Sequence, residues 1–374
     1  MSSAKRAWMA VAALTLLVSA AIGTCARWNS SPRAAGKVGP MIYAGSPEQT
    51  KRTLELLGEL PEDAPGIAYI DVEALRKLQA SPLASLLGTT ASQPAGDREY
   101  QRFVRETGFN YMQDLDRVAI AFWTASPDGK NQAMPPDNRA FVVADGRFDE
   151  GKIRGYALET GKAQASGSQT IYEIPGKPPV ALALLSPTRI AIASGAGSTQ
   201  FLLNTPPAAH DPAFQGRVDR VTGAALFAIL RVDQLPPSFN ANWHTSPQIQ
   251  NLVRSIRSLT FAAQPQGDAL EFVLDAESDS PQNALTITTL LEISRAGASA
   301  AFSNSKSTAH LSNSQSALID ALIHKSRITQ DDRWARIAFD LTPEMLDKRD
   351  PATPTAEGSP RSPANSESLK PYNK

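Results

Sequence analysis

The chain has 374 residues, 42% of them hydrophobic, with 37 basic against 37 acidic side chains and a single cysteine. That hydrophobic content supports a packed core, and balanced charge without a basic stripe argues against nucleic acid as a partner. One cysteine excludes an intramolecular disulfide, so burial and hydrogen bonding alone must hold the fold.

Lys5 and Arg6 stand ahead of an uncharged run from Ala7 to Ala26. A basic start before a long apolar segment is an export or anchoring signal. As a helix this run is roughly 30 Å long, enough to cross a bilayer core. Its strong apolar residues (Met9, Val11, Leu14, Leu16, Leu17, Val18) come early, and its end is small: Ser19, Ala20, Ala21, Gly23, Thr24. Three fates stay open for residues 1–26: a cleaved signal peptide, a retained anchor, or a lipoprotein acylated on Cys25. Ile22-Gly23-Thr24-Cys25 departs from a lipobox in having Thr directly before the cysteine. Each fate places the protein in the cell envelope, exported and periplasmic or held at the inner membrane. The membrane is then a partner through this segment.

Residues 27–45 are rich in Ser, Pro, Gly and Ala and read as a linker. Ser46-Pro47-Glu48-Gln49 then opens a helix, with Ser46 as cap, Pro47 in the first turn and Gln49 completing a capping box. A strand over 67–72 is followed by helices near 73–87 and 97–107, the latter stopping at Gly108. Arg117 to Thr124 reads as a strand that puts Phe122 and Trp123 on opposite faces. Ser126-Pro127-Asp128-Gly129 begins a hairpin loop and 140–144 returns. Asp149 caps a helix over 150–160. Strands follow at 170–174, 180–185 and 189–193.

The second half repeats part of this order. Ala68-Tyr69-Ile70-Asp71-Val72-Glu73-Ala74-Leu75 aligns with Ala228-Ile229-Leu230-Arg231-Val232-Asp233-Gln234-Leu235. A helix at 247–257, a strand pair at 259–263 and 272–274, and a helix beginning after Asp279-Ser280-Pro281 come next. A helix at 314–327, a strand at 335–340 and a short helix from Thr342-Pro343-Glu344 close the fold. The pattern predicts an α+β protein: after an N-terminal apolar helix, two related mixed or antiparallel units of β-α-β-β-α type, variants of the ferredoxin-like split βαβ. The units are expected over 46–205 and 206–346, the second a divergent repeat of the first. Residues 347–374 hold five prolines and almost no large apolar groups, and are expected to be a disordered tail.

No catalytic, cofactor or metal constellation stands out. Gly195-Ala196-Gly197-Ser198 between a strand and a helix lacks the third Gly of a dinucleotide fingerprint, with Gln200 in its place, and the Lys of a P-loop. His210, His244, His310 and His324 are not at metal-ligand spacing. The neighbouring acids Asp114/Asp116, Asp149/Glu150, Asp275/Glu277/Asp279 and Asp331/Asp332 are expected at turns and helix starts, capping backbone N–H groups. Trp243 beside His244 in a polar loop is the candidate contact pair.

Gly-Ile-Ala-Tyr-Ile-Asp-Val at 66–72, Glu-Thr-Gly-Phe at 106–109 and Gly-Arg-Phe-Asp at 146–149 resemble segments of uncharacterised exported or membrane-anchored proteins of soil bacteria of the Acidobacteria type. The resemblance spans about 60–205 and implies no catalytic residues. The expected function is a non-enzymatic binding or structural module of the envelope, without cofactor, that meets a protein or ligand. The competing expectation is an exported hydrolase with a site assembled from scattered residues. A deep pocket holding two acids would favour the hydrolase, and a flat apolar patch beside the sheet edge would favour binding.

Overall fold

The computed structural model describes residues 41–77, 98–123, 139–166, 169–176, 178–195, 197–204, 212–235, 254–304, 319 and 321–346. Residues 1–26 with Cys25, most of the linker, Trp243 and His244, and the tail lie outside the described residues.

The elements follow in chain order as α1 (Pro47–Leu57), β1 (Gly66–Asp71), α2 (Val72–Arg76), α3 (Arg98–Thr107), α4 (Tyr111–Asp114), β2 (Leu115–Trp123), β3 (Arg139–Gly146) and α5 (Glu150–Thr160). Next come β4 (Lys162–Ser166), β5 (Gln169–Ile174), β6 (Val180–Ser186), β7 (Arg189–Ser194), α6 (Ser198–Asn204), α7 (Pro212–Asp219) and β8 (Leu226–Arg231). The chain continues through β9 (Ile256–Gln266), β10 (Ala269–Ser278), α8 (Pro281–Asn304), β11 (Arg327–Asp331), β12 (Trp334–Leu341) and α9 (Pro343–Leu346).

The architecture is α+β, built on one antiparallel sheet of 12 strands in the order β11-β12-β10-β9-β8-β1-β2-β3-β7-β6-β5-β4. The stretches 46–205 and 206–346 contribute adjoining strands to it, joined where β1 pairs with β8. At that joint Ala68 stands opposite Ala228, flanked by Tyr69↔Phe227 and Ile67↔Ile229. These two alanines are also matched in the sequence alignment, so the register is that of a local two-fold axis between them. Outward from β1 run β2, β3 and then β7; outward from β8 run β9, β10 and then β12.

The strand order differs from the ferredoxin-like one. A split βαβ unit keeps a third strand between the two that its helix joins. Here β1 pairs directly with β2, and β8 with β9. Among the described residues three later connections skip strands: β10-α8-β11 leaves β12 between, the single place with a split βαβ order, while β3-α5-β4 and the β7–β8 connection each leave three strands between.

Side chains alternate across the sheet, and each face carries its own core. One face holds Ile67, Tyr69, Ala119, Trp123, Phe141, Val143 and Phe227 under α1, α6 and α7. Tyr69 and Phe227 stack there, with ring centres 5.2 Å apart. Phe122 lies on the other face, over Gly66, where a Cβ would come within 2.2 Å of its ring. That second face is covered by α2 and α5 on one half and by α8 on the other.

Helix starts follow capping chemistry. The Ser46 hydroxyl accepts from the Gln49 amide at 3.2 Å, Asp71 from Ala74 at 2.8 Å and Asp149 from Lys152 at 3.0 Å. The helix expected to reach residue 327 ends earlier: Ala321–Lys325 form a π turn and β11 starts at Arg327. The edge strands β4 and β11 and the helix α7 were absent from the sequence-based expectation.

Candidate functional site

Three features stand out: a buried ion lattice, an open cleft and an uncharged helix face. The lattice sits on the α1/α6/α7 face. Along β10, Glu271, Val273, Asp275 and Glu277 point to one side by strand alternation. Asp275 is fully buried and Glu277 nearly so. This corrects the expectation that the acid run Asp275/Glu277/Asp279 caps turns: the first two lie inside a strand. Arg336, opposite Asp275 on β12, donates Nε to Oδ1 at 3.2 Å and Nη2 to Oδ2 at 2.9 Å. Arg220, just beyond α7 and itself fully buried, donates to the same Oδ2. Its guanidinium carbon lies 3.5 Å from the ring centre of Trp334. Arg217 donates Nε to Glu277 at 2.7 Å, Ser258 adds its hydroxyl at 2.9 Å, and Arg333 approaches the other oxygen at 3.4 Å.

Residues 41–45 strap this lattice. The amides of Ile42 and Tyr43 donate to the Arg220 carbonyl at 3.0 Å each, and the Gly223 amide donates to the Tyr43 carbonyl at 3.0 Å. Arg336 donates to the Met41 carbonyl at 3.3 Å, and the Tyr43 hydroxyl donates to the Glu271 carbonyl at 3.3 Å. Burial, with Glu271 beside it, pushes the Tyr43 phenol well up. Burial alone would raise Glu277, but Arg217, Ser258 and Arg333 overcome it and hold the carboxyl below the usual range. An acid held low, buried and spanned by guanidinium groups is a poor proton carrier. This lattice is suited to fixing strand and helix positions rather than to acid–base chemistry.

The cleft, about 540 Å³ and broadly open, lies where the α3–α4 turn meets the start of α5. Phe109 stacks on Phe148 at 5.6 Å. Two acids line it, and both are engaged. Asp114 accepts from the Asn110 amide at 2.7 Å and pairs with Arg147 at 3.3 Å. Asp149 caps α5 and pairs with Lys152 at 3.3 Å, and the Lys152 amide bond holds its carboxyl below the usual range. Among the described residues no group of His, Cys, Asp and Glu is placed to hold a metal ion.

The third feature is α8, which packs over β10, β11 and β12 beside the sheet edge. Ala284 and Ile287 face inward. Leu285, Leu290 and Ile293 face out, at 56%, 37% and 62% exposure. Thr286 and Thr289 are also exposed. Their hydroxyls donate back to the carbonyls of Gln282 and Leu285 at 2.9 Å, so each is already bonded within the helix. The charged pair of α8, Glu292 and Arg295, is bonded internally, and Arg295 also donates to the Ser326 carbonyl at 2.7 Å. The helix after β3 contrasts with the helix after β10. Around α5 the surface carries Glu150–Arg154, Asp149–Lys152 and Arg102–Glu159 pairs. Among the described residues no helix is long and apolar enough to cross a membrane.

The candidate residues Trp243, His244 and Cys25 fall outside the described residues, and so do His210 and His310. His324 is exposed in the π turn. Gly195 and Gly197 have φ of 109° and 72° and turn the chain from β7 into α6, with the Ser198 amide donating to the Gly195 carbonyl at 3.2 Å.

No family model matches the chain, and no curated protein matches it. Among solved structures, crystal forms I, III and IV of TP0453 are similar to it. Form I has 9% identity and a TM-score of 0.37, covering 77% of this chain and 94% of that one. Form III has 11% identity and a TM-score of 0.40, covering 78% and 95%. Form IV has 10% identity and a TM-score of 0.41, covering 79% and 96%.

Proposed function

We propose that this protein is a non-enzymatic binding module of the cell envelope, held there through its N-terminal segment, and that it meets a partner or ligand on the outward face of α8. One observation carries this reading: Leu285, Leu290 and Ile293 lie exposed beside Thr286 and Thr289, whose hydroxyls are bonded within the helix, and the Glu292–Arg295 ion pair of that helix is internal. A contiguous uncharged face beside a sheet edge is the surface expected of a docking site. The acids that could serve hydrolysis are bonded to arginine, lysine or backbone amides. We also read the halves as two divergent copies of one unit, on the strength of the Ala68/Ala228 register.

The reading is tested by titrating an environment-sensitive apolar dye into the full chain and into the Leu285→Glu/Ile293→Glu variant. The variant should keep the wild-type circular dichroism and lose most of the dye signal. An unchanged signal would count against α8 as the binding face. Membrane fractionation with N-terminal mass analysis tests the location: a soluble cytoplasmic product with residues 1–26 intact would remove the envelope from the proposal.

A further inference from the structure

We infer that two copies of this chain join edge to edge through β11, around a two-fold axis at Thr329. Among the described residues β11 pairs with β12 alone, as the last strand of its half. Its outer row of backbone N–H and C=O groups is the kind of edge that pairs with another strand. The sequence of this edge is self-complementary. In an antiparallel pair with Thr329 opposite Thr329, Arg327 of each copy meets Asp331 of the other, and Ile328 meets Gln330. Arg327, Thr329 and Asp331 share one face by alternation. Arg327 is 58% exposed and already lies along the strand surface against Glu271 and Asp340, at 3.0 and 3.2 Å. Asp331 is exposed and has no ion-pair partner among the described residues.

The opposite edge lacks this pattern. In β4, Lys162-Ala163-Gln164-Ala165-Ser166, the same operation about Gln164 sets Lys162 against Ser166. The sheet already contains one joint of the proposed kind, at Ala68 and Ala228. Isologous pairing of this sort is closed, so it ends at two copies. Because α8 packs on β11 and β12, the joint would bring two uncharged helix faces onto one side of the seam.

The test uses the full chain in mild detergent with Cys25→Ser as background. Thr329→Cys at the axis should form an intermolecular disulfide on mild oxidation, whereas Gln164→Cys at the other edge should not. By sedimentation velocity the background protein should be a dimer. Asp331→Arg, which sets arginine against arginine, should weaken it by about tenfold or more. The swap Arg327→Asp/Asp331→Arg should restore dimerisation. Circular dichroism identifies any variant that unfolds, in which case the Thr329→Cys and Gln164→Cys comparison decides alone. A monomer at every concentration, a dimer indifferent to Asp331→Arg, or cross-linking at Gln164→Cys in place of Thr329→Cys would overturn the inference.

Discussion

The Arg220 guanidinium lies 3.5 Å from the ring centre of Trp334, while the carbonyl of the same residue accepts the amides of Ile42 and Tyr43 at 3.0 Å each. One residue thus ties the α7–β8 turn, the strap and β12 together. Its charge is matched by Asp275, which Arg336 also holds. Removing the acid leaves two guanidinium groups without it. Asp275→Leu is expected to destabilise the fold by about 3–5 kcal/mol, as a lowered midpoint in urea unfolding. A triple change of Arg220→Met, Asp275→Leu and Arg336→Met removes the charges together and should cost clearly less than the single change.

Glu277 gives a pH dependence with a defined sign. Its folded carboxyl lies below the ordinary range, so the folded state binds its proton less readily than the unfolded one. The contribution is complete above the ordinary glutamate pKa of about 4.3 and drains away as pH falls through the lower folded value. Asp71 runs the other way: burial raises it, so its contribution favours the fold at low pH and is lost as pH rises through the raised value. Urea unfolding at a series of acidic pH values should show Glu277→Gln less stable than wild type at neutral pH and less sensitive to acid.

Tyr69 and Phe227 stack at the joint between the two halves, at 1% and 0% exposure. Tyr69→Ala should cost about 3–5 kcal/mol, as large aromatic truncations in cores do. Thermal unfolding followed by circular dichroism should fall in one transition, because the strands on both sides of the joint lose the same support.

Gly223 lets the strap approach. A Cβ there would lie 2.4 Å from the Ala44 carbonyl oxygen and 2.8 Å from the Gly45 nitrogen. Both contacts are backbone, so Gly223→Ala should cost about 1–3 kcal/mol and speed hydrogen exchange at Ile42 and Tyr43. Gly197→Ala is the control. It is strained by its φ of +72° yet meets nothing within 4 Å, so it should leave exchange at the strap unchanged.

Much of the architecture was legible where local chemistry and burial agree. Ser46-Pro47-Glu48-Gln49 starts a helix as capping predicts, and the run Arg117-Val118-Ala119-Ile120-Ala121-Phe122-Trp123 is a strand because both its faces are covered. The edge strands Lys162–Ser166 and Arg327–Asp331 were not legible: the first alternates polar residues with nothing larger than Ala163 and Ala165, the second has Ile328 as its one apolar residue, and pairing with a neighbour makes them strands. The ion lattice was hidden for a related reason. Arg217 and Arg220 look like solvated charges until β10 is seen to face them, and the one available signal was acids spaced by two within an apolar strand. The uncharged face of α8 was not identified either, because threonine counts as polar until its hydroxyl is seen bonded to the preceding turn.

The strap meets the sheet on the side of Arg220 and Arg336, whereas α8 covers the opposite side. The backbone at Met41 therefore comes onto the sheet from behind, on the face turned away from α8. Anything that touches the strap and anything that touches the outward side of α8 thus meet the protein from opposite sides, with the full thickness of the sheet between them.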